Sequence, residues 1–425
     1  MRLIAFLLCL PLAAAANDFP VADIKAFDAA VKAAQPGDTI VLSEGRWTDL
    51  VLKFKGAGTK DAPITLKAAV PGRTEITGRS QLKIGGEYLV VEGLHIHNPD
   101  PEAGDPVEFR IDSKMLARNC RLTHCAITQD AEVKPVKESR WVGIYGGHNR
   151  IDHCLMQGKT NKGTTLVVWL GEGQEAAHTI ENNYFGPREK LGKNGGETIR
   201  IGDSQTSMRT AGCVIQRNLF ETCNGEAECI SNKSCGNLYR ENAFLEVSGT
   251  LTLRHGNSCI VERNGFFGNH ANGTGGIRII GEDHVVRGNY LEKLAGEDAR
   301  CAITFMLGIP DSVPHGYFQV KRARVEGNTI VDCEHPILIG QEGSTVEKVP
   351  SLPPVDCLMV GNVVNAPKST VVEARCDTGG IQWRANQFLG KELGIPEMTG
   401  IEWAKGKIEA LKPLARADTG PSWWK

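Results

Sequence analysis

The sequence carries little net charge, few aromatic residues and, beyond its first sixteen residues, no long apolar run. A formal charge of −2 over 425 residues gives no bulk attraction toward nucleic acid or an anionic membrane, although a neutral total can hide a local basic cleft. Aromatics at 6% and 48 glycines suit many turns and short strands. No stretch past residue 16 reaches the ~20 apolar residues that cross a bilayer. The one apolar run opens the chain, "MRLIAFLLCLPLAAAAND". Its basic start, apolar middle and small-residue end read as a secretory signal peptide over residues 1–16, cut after Ala16. Cys9 sits between leucines, without the small residues of a lipoprotein site. The mature protein is expected to be periplasmic or secreted. Hydrophobic content of 41% and charged content of 23% are those of a soluble globular protein.

What the sequence does have is a repeat. Two apolar residues, a short polar stretch and Asn-x-apolar recur as "IENNYF", "VIQRNLF", "LYRENAF", "IVERNGF", "VVRGNYL", "RVEGNTI", "LMVGNVV" and "QWRANQF", with weaker copies upstream. The Asn-equivalent positions are 93, 124, 153, 183, 218, 242, 264, 289, 328, 362 and 386. Short strands returning in steps of 22 to 39 residues predict an all-β fold, a right-handed single-stranded parallel β-helix with coils stacked ~4.8 Å apart. The longer steps predict loops inserted at turns. The recurring Asn is expected in a left-handed bend, stacked into a ladder. A β-propeller needs about 40–45 residues per blade, more than the middle coils have. The twelve cysteines after the leader fall on the same grid: Cys213, Cys259 and Cys357 stand five before the Asn, Cys223 and Cys333 five after, and Cys125 and Cys154 share a phase. Most are read as small core residues, with few bridges. "DIKAFDAAVKAAQPGD" has helical apolar spacing and predicts an N-terminal cap helix. The β-helix is expected over residues 17–390, and a C-terminal capping segment over 391–425.

On this grid the unusual charges line up. Glu226 and Glu228, two apart, would share one face of a strand. Lys233 follows, Arg254 comes 21 residues later, about one coil, and Arg278 and Arg200 fall on neighbouring coils. Such a set suits β-elimination in a uronic-acid polymer. There a divalent cation offsets charge on the uronate carboxylate. Oxygen ligands such as Glu226 and Glu228 suit Ca²⁺, Lys233 serves as base and Arg254 aids the leaving oxygen. His255 points to the other face unless a bend at Gly256 turns it.

"NGGETIRIG", "NGEAECISNKSCGN", "GTLTLRHG" and "GGIRIIG" resemble the core of polysaccharide lyase family 6, which holds alginate lyases and the dermatan-sulfate lyase chondroitinase B. The resemblance implies a right-handed parallel β-helix using calcium, a lysine base and an arginine acid. It implies Glu226, Glu228 and, one coil earlier, Asn194 as calcium ligands, and Lys233 and Arg254 as catalytic residues. Arg278, His255 and Arg200 would bind substrate carboxylates. A single β-helix without an evident extra module favours alginate over dermatan sulfate. A glycoside hydrolase needs carboxylates at a set separation; Asp203 and Asp283 exist, but the Glu-Glu-Lys-Arg wall fits elimination better. The Asp-Pro-His-Glu motif associated with alginate epimerases is absent. A secreted polysaccharide-binding β-helix without catalysis would explain fold and export, but not lysine and arginine one coil apart beside paired glutamates.

Overall fold

The computed structural model describes residues 16–173, 175–343, 349–396, 399–403 and 410–424. The leader, Ala16 apart, lies outside them. Short strands alternate inward apolar and outward polar side chains, as in Ile64–Ala68, where Ile64, Leu66 and Ala68 are buried. Each strand is followed by a turn onto a new face. The strands build three long sheets of fourteen, thirteen and fourteen strands, with parallel ladders. The fold is therefore the parallel β-helix expected. Helix Ile24–Ala33 starts at Asp23, whose side chain accepts the Ala26 N–H at 2.8 Å, and buries Phe27 and Ala30. No helix among the described residues is long and apolar enough to cross a membrane.

Asn183, Asn218, Asn242, Asn264, Asn289, Asn328, Asn362 and Asn386 form a buried ladder. Each Nδ2 donates to the next Oδ1 at 2.8–3.0 Å. The left-handed residue is the one before each asparagine, not the asparagine itself: Arg217 has φ 51°, Glu241 56° and Arg263 52°, and glycine takes the place at 288, 327 and 361. The asparagine must face inward to bond on both sides, so its neighbour makes the bend. By the same rule His124 and His153 are bend residues, and Cys125 and Cys154 fill the ladder slot; the Cys154 N–H donates to Asn183 Oδ1 at 2.9 Å. Phe185, Phe220, Phe244 and Phe266 stack in a second column with centroids 4.5–4.9 Å apart. All twelve cysteines after the leader are unbridged and all but Cys235 and Cys376 are buried.

Within residues 391–425, Ile401–Trp403 forms the last strand of one sheet. Residues 410–424 turn back along the outside of that sheet. Leu411 lines a cleft with Phe267, Leu414, Trp423 and Trp424 cover Ala126, Leu155 and Tyr184, and the Trp423 indole N–H donates to His124 O at 2.7 Å. Apolar side chains on the sheet's outer face supply the reason, since they need cover.

Candidate active site

Strand Glu228–Lys233 lies between Ile199–Gly202 and Thr250–His255. Its ladder with the latter is irregular between Glu228 and Ile230 and again between Asn232 and Lys233. At the first irregularity Cys229 and Ile230 both enter the core, 1% and 0% exposed. Glu228 is thereby turned away from the interior that strict alternation with Ile230 would have given it. At the second, Lys233 pairs with His255, so Lys233, Arg254 and His255 meet at the ends of adjacent strands. Asn232 locks this end from inside. Its Nδ2 donates to Ser234 O and His255 O at 2.9 and 2.8 Å, and its Oδ1 accepts from Asn237 Nδ2 and the Tyr239 hydroxyl at 2.7 and 2.8 Å.

Glu226 does not share the strand face with Glu228; it lies in the bend before the strand. Its Oε2 accepts the N–H groups of Gly195 and Gly196 at 2.7 and 2.9 Å. Gly195 has φ 100°, a conformation glycine holds without strain, and a Cβ on Gly196 would fall 2.4 Å from Gly225 O. The motif "NGG" is thus the cradle for Glu226. Burial, Glu197 and Glu228 push the Glu226 carboxyl up to about 7, against the two glycine N–H groups. Burial also pushes Glu228 up, but Arg278, the Ser231 hydroxyl at 2.5 Å, Arg254 and Lys233 hold it below the ordinary range. Arg278, expected to meet substrate, is only 7% exposed and bonds Glu228 and Thr252. The largely covered Glu228, its side chain 14% exposed, needs a counter-charge, and Arg278 supplies it.

Glu197, missed in the sequence reading although it lies within "NGGETIRIG", is 3% exposed, and its Oε2 has no hydrogen-bond partner. A buried carboxylate oxygen without a donor, near a second carboxylate, is costly unless a cation or proton neutralises it. The donor set of Glu197, Glu226 and Glu228 therefore suits a hard divalent cation. Asn194 is exposed and lines one cleft with Glu226. Among the described residues no three His, Cys, Asp or Glu side chains already converge on one point; Glu228 is drawn to Arg278.

At the other end of the strand, Arg254 is held by an inserted loop. Its Nη1 donates to Gly316 O at 2.7 Å, its Nη2 to His315 O at 3.4 Å, and its guanidinium lies 4.1 Å from the Tyr317 ring centroid. The repeat step from 289 to 328 is the sequence signal of this loop. His255 is turned inward, 2% exposed. Burial, then Arg254, Lys233 and His315, push it down to about 3, so its ring is neutral, and its Nδ1 is buried without a partner. Arg200 pairs in register with Ser231 and lies 5.0 Å from the Trp169 ring. Tyr145 stacks with Trp169, Arg140 lies over Trp169 and Arg110 over Tyr145. Rings and guanidinium groups thus extend the wall upstream.

Residues 21–410 match the family model described as Chondroitinase B. No curated protein matches. Among solved structures, the PL6 family alginate lyase AlyGC is similar at a TM-score of 0.87 and 38% identity, over 96% of this chain and 57% of that one; this chain thus spans little more than half of that relative. A mannuronic acid specific polysaccharide family 6 lyase enzyme from human gut microbiota is similar at 0.77 and 29%, over 89% and 87%. A PL6 alginate lyase in complex with a trisaccharide shares the fold at 0.81 and 22%, over 96% and 95%. With three parallel sheets wound into one β-helix and a family match over nearly all of it, the chain belongs to the chondroitinase B family, polysaccharide lyase family 6.

Proposed function

We propose that the protein cleaves alginate by β-elimination where strands Glu228–Lys233 and Thr250–His255 meet. The observation that carries this is the adjacency of Lys233, Arg254 and His255 beside an acidic corner. The C5 proton of a uronate is weakly acidic, because the neighbouring carboxylate resists further negative charge. Asn194, Glu226 and Glu228, with Glu197 beside them, would hold Ca²⁺, which when bound offsets that charge. Lys233, in its neutral form, takes the C5 proton on Nζ. Arg254 directs N–H groups at the glycosidic oxygen. A guanidinium keeps its proton, so water completes protonation as the C4–O bond breaks and the C4=C5 bond forms. His255, turned inward with its Nδ1 buried, backs the wall from inside rather than meeting substrate, and Arg200 with its aromatic neighbours binds further uronates. The leader would export the protein to where such polymers occur.

Similarity to an alginate lyase favours alginate; the family description keeps dermatan sulfate as the second reading. Mixing the protein with each polymer and following ultraviolet absorbance of the conjugated double bond decides. A rise with alginate is expected, lost on chelation and restored by calcium. No rise with either polymer removes the lyase reading; an unchanged rate after chelation removes the cation.

A further inference from the structure

We infer that the trough on the outer side of the acidic corner is a second anion site, built for the carboxylate of a uronate beyond the one being cleaved. Its ligand identity rests on the polyuronate reading above; its geometry does not. The trough encloses about 370 Å³. Gly225, Ala227 and Ser248 line it with small side chains, and a Cβ on Gly225 would lie 2.1 Å from Gly196 O, so the backbones stack too closely there for a larger residue. Gly273, with φ 76°, leaves the space in which Ser248 Oγ and Arg300 Nη1 lie; a Cβ there would come within 2.9 and 3.6 Å of them. Arg300 lines the trough together with Lys190 and Lys193.

These three cations face a single carboxylate in the lining, Glu226, whose Oε2 is occupied by the Gly195 and Gly196 N–H groups. Lys193 is only loosely paired, 3.9 Å from Glu138, and no ion pair involves Lys190 or Arg300 among the described residues. The lining is therefore net positive at neutral pH. Asn224 and Ser248 add polar groups for sugar hydroxyls. Cations held open beside small lining residues, next to a site for uronate, suit a carboxylate carried on a pyranose ring. The trough shares Asn194 and Glu226 with the acidic corner, so a polymer bound there reaches it without leaving the surface.

The test is calorimetric binding of uronate disaccharide and hexasaccharide to Lys233→Ala protein, with and without Lys193→Ala and Arg300→Ala. The added substitutions are expected to weaken hexasaccharide binding by about five- to tenfold and to leave the disaccharide unchanged. Melting temperatures within a degree or so of each other would show that the variants fold. Equal hexasaccharide affinity with and without the two cations overturns the inference. So does an equal loss for both ligands, which would put the cations at the cleavage point. Binding that behaves as expected while wild-type protein yields no unsaturated product keeps the trough and removes the lyase reading. Failure of both oligosaccharides to bind removes both.

Discussion

Lys233 and Arg278 are cations on one wall, yet their surroundings give them opposite sensitivities. Lys233 stands at a strand end, paired with His255, so Lys233→Ala should remove the base and little else. Turnover is expected to fall by about 10²–10⁴-fold, with unfolding free energy changed by no more than about 0.5 kcal/mol. Arg278 is the counter-charge of a carboxylate that is itself nearly inaccessible. Arg278→Ala leaves Glu228 without its main partner and should destabilise the fold by about 3–5 kcal/mol. Denaturant titration of the two variants checks the contrast. An Arg278→Ala protein as stable as wild type would mean that Glu228 is neutralised by something else.

Elements repeat from coil to coil, and repetition is what makes them legible in sequence. The asparagine ladder and the Lys233–Arg254 neighbourhood could be placed because each step of the repeat returns the chain to one wall. The bulge at Cys229 could not, because it breaks the alternation that a pattern reading assumes. Glu197 was missed because it looks like an ordinary residue leading into a strand, and only its unpartnered oxygen marks it. The loop over Arg254 was visible as extra length, but not as a contact. A second column illustrates a substitution that the repeat permits. The N–H groups of Cys120 and Cys213 donate to Asn149 and Asn237 Oδ1 at 2.9 Å, whereas that of Cys259 donates to His284 Nδ1 at 3.1 Å. His284 Nε2 pairs with Ile280 O at 2.9 Å, and burial pushes the ring down to about 4 from 6.5. The unfolded chain therefore binds the extra proton between pH 6.5 and about 4. Stability tied to His284 is intact above that window and falls as pH drops through it, by about 1.4 kcal/mol per unit. His284→Asn keeps the acceptor and removes the titration. Urea melts across the window should show a shallower loss for the variant, and parallel curves would exclude His284 as a contributor.

At the scale of the molecule, the solenoid presents its three sheets to different tasks. The sheet with Lys233 and Arg254 carries charge and an inserted loop. The sheet with the phenylalanine column carries the returning tail, where Trp424 meets His95 edge-on at 5.2 Å and the Arg416 guanidinium lies 3.9 Å from the Tyr184 ring centroid. Gly72 makes room for the Trp423 ring, since a Cβ there would come within 2.5 Å of it. Because coils in a solenoid contact mainly their neighbours, a strap that touches Phe267 at one end and His95 at the other couples coils that otherwise have no direct contact. Trp423→Ala with Trp424→Ala should therefore cost stability, about 2–4 kcal/mol together, and broaden the unfolding transition as the early coils lose their tie to the middle ones. The catalytic wall is on another sheet, so kcat/KM on alginate is expected to stay within a factor of two or so of wild type. Calorimetric unfolding and steady-state rates on the double variant separate these effects. A sharp, unshifted transition would deny the strap its structural role, and a collapse in rate without loss of stability would tie the tail to the chemistry instead.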